Sequence, residues 1–386
     1  MAVTAVRPDA PAEAPRPLEG VLFSLIYGVV VFGLLAVFTA SFPNALKSSL
    51  DGLPGDRFHY LRLQAAYALV GFLVMLVISA IHPERIKSAS PYLLLVALCL
   101  TGLTLTGSSI VRCSHGSCRW LQLGPIRIQP SEFAKLALII YIAAKLAEGR
   151  LNSANFGRIS LKIMTVTAVL CILLFLQKDL GMAMLILVIV LGMAYLGHLR
   201  GRWLAAVSVS SLGIAVIGIL LEEYRRERIR AFFDPLKYRT DWGWQILTMK
   251  TTIARGGLLG VGPGKCPEKF SYLPEAHTDA IFCVIASEVG LIGALVLLAL
   301  IGAIVVRIMQ IANQSADRAG YFMASGVGTM LAAQALINIG VSAHMLPVTG
   351  LTLPFVSYGG SSLVTCLAAI GVVMSVHRHG PWRRGR

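Results

Sequence analysis

Long apolar runs, each ended by charges or by Pro and Gly clusters, recur along the whole chain at 21–42, 61–81, 91–110, 132–148, 161–176, 180–198, 203–221, 280–308, 321–343 and 352–376. Each approaches the ~20 residues that a helix needs to cross a bilayer. The pattern predicts an all-α polytopic membrane protein of about ten transmembrane helices, with one long loop, 222–279, between helices seven and eight. An even number of crossings puts both termini on one side. The weakest boundary is QKDLG at 177–181, where Lys178 and Asp179 would be costly in lipid and predict a re-entrant or interfacial turn.

The composition agrees with this pattern. Of the 386 residues, 56% are apolar and 14% charged, with a mean hydropathy of +0.73, which excludes an ordinary soluble protein. The net charge of +15 would suggest nucleic acid for a soluble chain. On a membrane protein it points to anionic lipid and phosphate, and nucleic acid is not an expected partner. With a cytoplasmic N-terminus the inside segments hold 16 Lys and Arg residues and the outside ones 8, leaving out the long loop. That bias favours both termini inside. Residues 1–20 are rich in Pro and Ala, lack the apolar core of a cleaved signal peptide and read as a disordered cytoplasmic tail. A single ten-helix membrane domain, 21–377, follows, and 378–386 form a basic cytoplasmic tail.

Chemistry gathers in three stretches. The 222–279 loop lies outside on this topology yet carries ten basic residues, either to meet an external anion or, for EYRRERIR, to lie against headgroups. Its end, SYLPEAHTDAIF, puts Glu275, His277 and Asp279 within five residues at the mouth of a span. Such a cluster serves proton transfer or a metal, or merely caps the next helix. In RWLQLGPIRIQPSEFAK, Glu132 and Lys135 share a helix face and form a structural ion pair, or Lys135 joins Arg119 in holding a phosphate. The third stretch, HMLPVTGLTLPFVSYGGSSL, interrupts the last apolar run with two prolines and Gly359-Gly360, to line a cavity or to let helices pack closely. The Gly260–Gly264 run lacks the strand-to-helix context of a phosphate loop and reads as a turn.

QPSEFAK, LPEAHTD and LPFVSYGGSSL, in this order on a ten-span chain, resemble the shape, elongation, division and sporulation (SEDS) family of FtsW/RodA type, over about residues 20–376. The resemblance implies a peptidoglycan glycosyltransferase in the bacterial cytoplasmic (inner) membrane that polymerises lipid II. It makes Asp279 the catalytic residue, shaped by Glu275 and His277, with Arg119 and Lys135 on the pyrophosphate. Gln129, Ser131 and Glu132 come with the QPSE element, and Ser357, Gly359, Gly360 and Ser361 line the same cavity. The chain departs from the family pattern at Lys178, Cys266 and Ala280. LPEAHTD and LTLPFVSYGGSSL favour the division-type FtsW branch, whereas the short tails are equally typical of the elongation-type RodA branch. Either branch implies a class B penicillin-binding protein (transpeptidase) as partner, among other divisome or elongasome membrane proteins. The chemistry allows a divalent cation, Mg or Mn, and calls for no organic cofactor. A lipid II flippase or transporter is the alternative function, and a non-enzymatic division scaffold a third.

Of the seven cysteines, Cys99, Cys171, Cys283 and Cys366 fall in spans and read as small apolar residues. Cys113 and Cys118 flank a tight turn in the outward loop just before Arg119, and are placed for a disulfide or for two free thiols.

Overall fold

The computed structural model describes residues 16–50, 56–114, 117–124, 126–148, 156–197, 201, 209, 213, 222–239, 242–271 and 273–380. Among these, twelve helices and one small sheet follow one another: α1 (Gly20–Leu50), α2 (His59–Ala80), α3 (Pro83–Leu103), β1 (Val111–Ser114), β2 (Ser117–Leu123), β3 (Ile126–Ile128), α4 (Pro130–Glu148), α5 (Phe156–Leu176), α6 (Leu180–Leu196), α7 (Glu223–Phe233), α8 (Trp242–Gly256), α9 (Glu268–Ser271), α10 (Ile281–Gln314), α11 (Arg318–Ser342) and α12 (Gly360–His379).

Seven of these helices, α1, α2, α3, α5, α10, α11 and α12, are long and apolar enough to cross a membrane, and α6 is a shorter apolar helix. α4 is as long as a span but carries Glu132, Lys135, Lys145 and Glu148. The expected span at 203–221 lies, but for 209 and 213, outside the described residues. α11 and α12 are buried along most of their length, whereas α1, α2, α3, α5 and α10 turn more of their surface outward. The core is therefore formed where α4, α11 and α12 meet. α12 lies along α2, and the approach is close at Gly71, where a side chain would run into Leu367, and at Gly371, where one would meet the Met75 carbonyl.

Several boundaries differ from the sequence reading. The third helix begins at Pro83 rather than 91, because His82 accepts the Glu84 N–H at 3.3 Å and Pro83 occupies the first turn, where a missing N–H costs nothing. Pro91 lies inside this helix. It stops at Leu103 because the chain then enters the antiparallel sheet β1-β2-β3, which the sequence reading treated as polar loop. The last helix starts at Gly360 rather than 352, since residues 352–359 form turns, with Phe355 at φ 65°. The 222–279 loop is itself helical in α7, α8 and α9. Finally, the end of the expected disordered tail is tied down: Glu19 is buried against Arg307 at 2.7 Å, and the Arg16 N–H meets the Arg378 carbonyl at 3.1 Å. Arg378 and His379 likewise belong to α12 rather than to a free tail. These contacts place the two chain ends at the same end of the bundle.

α10 is broken at Gly290, with φ 71° and ψ −175°. The turn containing Gly260, Gly262 and Gly264, all at positive φ, runs beside the break. Its backbone takes up groups that the break frees: Val261 and Gly262 donate to Ser287 and Glu288, and Leu291 and Ile292 donate to Gly257 and Leu258. A broken helix persists where another segment satisfies its backbone. Directly beside it, Lys269 and Glu288 form a buried ion pair at 2.6 Å.

Candidate functional site

The end of the bundle opposite the chain termini gathers the sheet, the turn 177–179, the 222–279 segment, the stretch 343–359 and the start of α12. Asp279 lies in the turn that feeds α10. Thr278 and Ala280 donate their N–H groups to the Glu275 carbonyl at 3.1 and 3.2 Å, and Glu275 takes φ 51°. Asn338 of α11 fixes the turn from beneath, its Nδ2 donating to the carbonyls of Asp279 (3.1 Å) and Leu351 (2.6 Å). The Asp279 carboxylate points at Gly350, where a Cβ would sit 3.5 Å from Oδ2. Burial pushes its pKa up to about 6, Glu275 and Asp179 add to the rise, and Arg228 and Arg119 oppose it. The carboxylate thus sits in a field made by two carboxylates and two guanidiniums.

Arg119, on β2, is held rather than free-swinging. Its guanidinium donates to the Ser117 hydroxyl (2.5 Å) and the Lys178 carbonyl (2.7 Å) and pairs with Asp179 at 3.4 Å. Asp179 is 3% exposed and also caps α6, accepting the Met182 N–H at 3.1 Å. The expected turn at 177–181 is present, with Lys178 at φ 62°. Gln129 joins the same group: its side chain reaches Asp179 at 3.4 Å, and its backbone N–H donates to Ser361 at 3.0 Å. Cys113 and Cys118 are paired across β1 and β2 and form a disulfide, one residue before Arg119. Arg228, on α7, donates to the Val348 carbonyl at 3.1 Å and stacks 4.3 Å above Trp242.

Lys135 is placed differently. Its ammonium is fully buried below the site, 2.6 Å from Glu132 and 2.7 Å from the Gln334 side chain. Gln334 continues to Thr352 and Ser362, so the pair anchors α4 to α11 and to the chain leading into α12. The structure links Arg119 and Gln129 through Asp179, and Gln129 to Ser361. Glu132 follows directly, its N–H donating to the Gln129 carbonyl at 3.2 Å, while the Lys135 ammonium is taken up by Glu132 and Gln334. Ser131 is buried in the first turn of α4.

The LPFVSYGGSS stretch is clamped by Gln64 of α2, which donates to the Ser357 carbonyl at 3.0 Å and accepts the Gly359 N–H at 3.3 Å. Ser357 Oγ accepts the Leu353 N–H at 2.7 Å. Gly360 packs on Tyr67 so closely that a side chain would run into the ring. His277 lies against Tyr60 and Tyr358, with centroids at 4.9 and 5.5 Å, and its carbonyl accepts the Tyr358 N–H. Burial lowers its pKa, an effect that Glu275 offsets in part. His277 is thus a wall of the site held neutral by its surroundings.

The model of the FtsW/RodA/SpoVE family, described as cell cycle protein, matches residues 20–381. The chain belongs to this family. A relative in Geobacter sulfurreducens, named "Probable peptidoglycan glycosyltransferase FtsW", is 35% identical over 356 residues, 92% of this chain and 94% of its own. One of the same name in Escherichia coli O6:H1 is 34% identical over 358 residues, covering 92% and 84%. A solved structure titled for the coordination of polymerization and crosslinking by a peptidoglycan synthase complex superposes with a TM-score of 0.74 at 29% identity, over 93% of this chain and 97% of that one. The rod shape determining protein RodA of Thermus thermophilus gives 0.69 at 27% identity, over 93% and 96%.

Within this family member, four site residues carry no role in the sequence reading. Asp179 and Arg228 were visible there only as a charge in a short turn and one of ten loop cations. Asn338 and Gln64 sit inside apolar runs, and their only signal is an amide that must find partners when buried. Among the described residues no trio of His, Cys, Asp and Glu side chains gathers to hold a metal ion.

Proposed function

We propose that this chain is a peptidoglycan glycosyltransferase that polymerises lipid II at the outer face of the bacterial cytoplasmic membrane and releases undecaprenyl pyrophosphate. The observation that carries the reading is Asp279: a partly buried carboxylate at one end of the bundle, raised toward neutrality, in the combined field of Arg119 and Arg228. The reaction needs that pairing. An acceptor hydroxyl must lose a proton as its oxygen attacks the donor's anomeric carbon, while the bond to the pyrophosphate breaks and negative charge leaves. Asp279 takes the proton as general base, and a base whose pKa lies near the working pH is well suited to it. Arg119, preorganised by Ser117, Lys178 and Asp179, and Arg228, preorganised on Trp242, meet the departing pyrophosphate without reorganising. Glu275 keeps the Asp279 pKa high, and His277 with Tyr60 and Tyr358 forms the wall. Gln129, Ser361, Ser357, Gly359 and Gly360 shape the floor beside Asp179. Lys135 and Glu132 act from below, by holding the helices that carry the site.

The charge bias of the short loops orients the chain with both termini in the cytoplasm, which leaves the Asp279 end outside, where lipid II is polymerised. The apolar faces of α2 and α3, including Leu69, Leu73, Val77, Tyr92, Leu95 and Val96, are open to lipid and to a membrane partner. A class B penicillin-binding protein is the proposed partner, with septal synthesis favoured over lateral. The test is the purified chain given lipid II, with and without that partner. Glycan strands on a gel, absent for Asp279→Asn, support the reading; lipid II left unpolymerised under both conditions refutes it.

A further inference from the structure

We infer that a cavity lined by Trp242, Trp244, Gln245 and Pro274, five residues along the chain from Asp279, is a subsite for a sugar ring of the growing glycan. This rests on the proposed glycosyltransferase activity and adds to it where the product goes between couplings. The cavity measures about 300 Å³. That is at the small end of the ~300–1,000 Å³ of small-molecule clefts, room for about one ring.

Its chemistry names the occupant. Two indoles line the cavity, Trp242 with Arg228 over one of its faces, and the exposed Trp244 combines a flat apolar surface with a polar edge, which matches the C–H face of a pyranose. The amide of Gln245 both donates and accepts, as a sugar hydroxyl or acetamido group requires. None of the four described lining residues is charged. The cations stand outside the cavity: Arg228 covers Trp242 at 4.3 Å and, with Arg119, faces Asp279. The anionic pyrophosphate and the neutral glycan are therefore sorted to different places. The chain connects it to the reacting group, because Pro274 precedes Glu275, whose carbonyl holds the turn that carries Asp279. Trp244 is 44% exposed, so a ligand reaches it without unfolding of α8.

The probe is a lipid-free glycan oligomer of the peptidoglycan repeat, which binds without reacting. Titrated into the detergent-solubilised full chain, it should change tryptophan fluorescence and show saturation transfer from the protein in NMR. Asp279→Asn should bind it as the wild type does, so binding is read independently of catalysis. Trp244→Ala should weaken binding at least tenfold, and with lipid II it should shorten the strands several-fold, more steeply than it slows lipid II consumption. Trp244→Phe, which keeps a ring, should recover most of both; it replaces the alanine variant if that one does not fold. Wild-type chain that ignores the oligomer overturns the subsite, and so does Trp244→Ala that binds it and makes strands of full length. A chain that makes no polymer yet binds the oligomer through Trp244 would instead overturn the transferase reading.

Discussion

At the scale of single residues, the electrostatics of Asp279 make the sharpest demands. Its folded pKa is raised to about 6 from a normal 3.8, and the working form is the carboxylate. Activity should therefore be present above pH 6 and fall as the pH drops through about 6, roughly two units above where an unperturbed aspartate would titrate. Glu275 contributes to that rise through its negative charge, so Glu275→Gln should move the acid limb of the pH–rate profile downward. An unmoved limb would remove Glu275 from the site's electrostatics. Because the ionised form is disfavoured in the fold, Asp279→Asn should leave the chain at least as stable as wild type at pH 7, with its activity gone. The buried pair below behaves oppositely. Removing one partner of a buried ion pair costs ~3–5 kcal/mol, so Lys135→Ala should lower the melting temperature sharply. Glu132→Ala/Lys135→Ala should recover much of the loss, and a double variant as unstable as the single one would contradict a structural role. The sequence spacing made this pair legible, since three residues apart in a helix means one face. It could not show that Gln334, 199 residues away, completes it.

At the scale of elements, the sequence read the apolar helices well and their edges poorly, for a physical reason. Hydropathy reports which residues tolerate lipid, whereas helix ends are set by caps and turns. Pro83 and His82 extend α3 by a turn and more beyond what hydropathy marks, and the turns before Gly360 shorten α12. The sheet escaped because VRCS, SCRWLQL and IRI are short and mixed, and a cross-strand register is a property of pairs rather than of runs. That sheet carries Arg119 next to the Cys113–Cys118 bridge. So short a closed loop adds only about 2 kcal/mol by the chain-entropy argument. Cys113→Ser should accordingly reduce lipid II turnover more than melting temperature, and the reverse order would make the bridge a staple of the fold alone. The break in α10 is the second element-scale test. Gly290 combines a positive φ with a backbone approach of Gly260 and Leu258 that leaves no room for a Cβ. Gly290→Ala should destabilise by several kcal/mol, among the larger effects of a point change, and a thermal melt like the wild type's would show the break to be adaptable.

At the scale of the whole molecule, the fold is a machine with two ends. The first and last described residues meet at one, through Arg16, Arg378, Glu19 and Arg307. Segments as far apart in sequence as Gln64 and Gly359 meet at the other, where Arg119, Asp179, Arg228, Asp279 and Gly350 converge. Among them the sequence marked Arg119 and Asp279, through separate motifs. It left their distances open, because convergence is produced by the packing of α4, α11 and α12 rather than by any local pattern. The central claim is that this end of the bundle couples sugars, with Asp279 as the base. Its most direct measurement is gel-resolved glycan synthesis from lipid II by the purified chain with a class B penicillin-binding protein whose transpeptidase is blocked, comparing wild type with Asp279→Asn. Strands from the wild type and none from the folded, membrane-inserted variant are the expected result; equal polymer from both would contradict it.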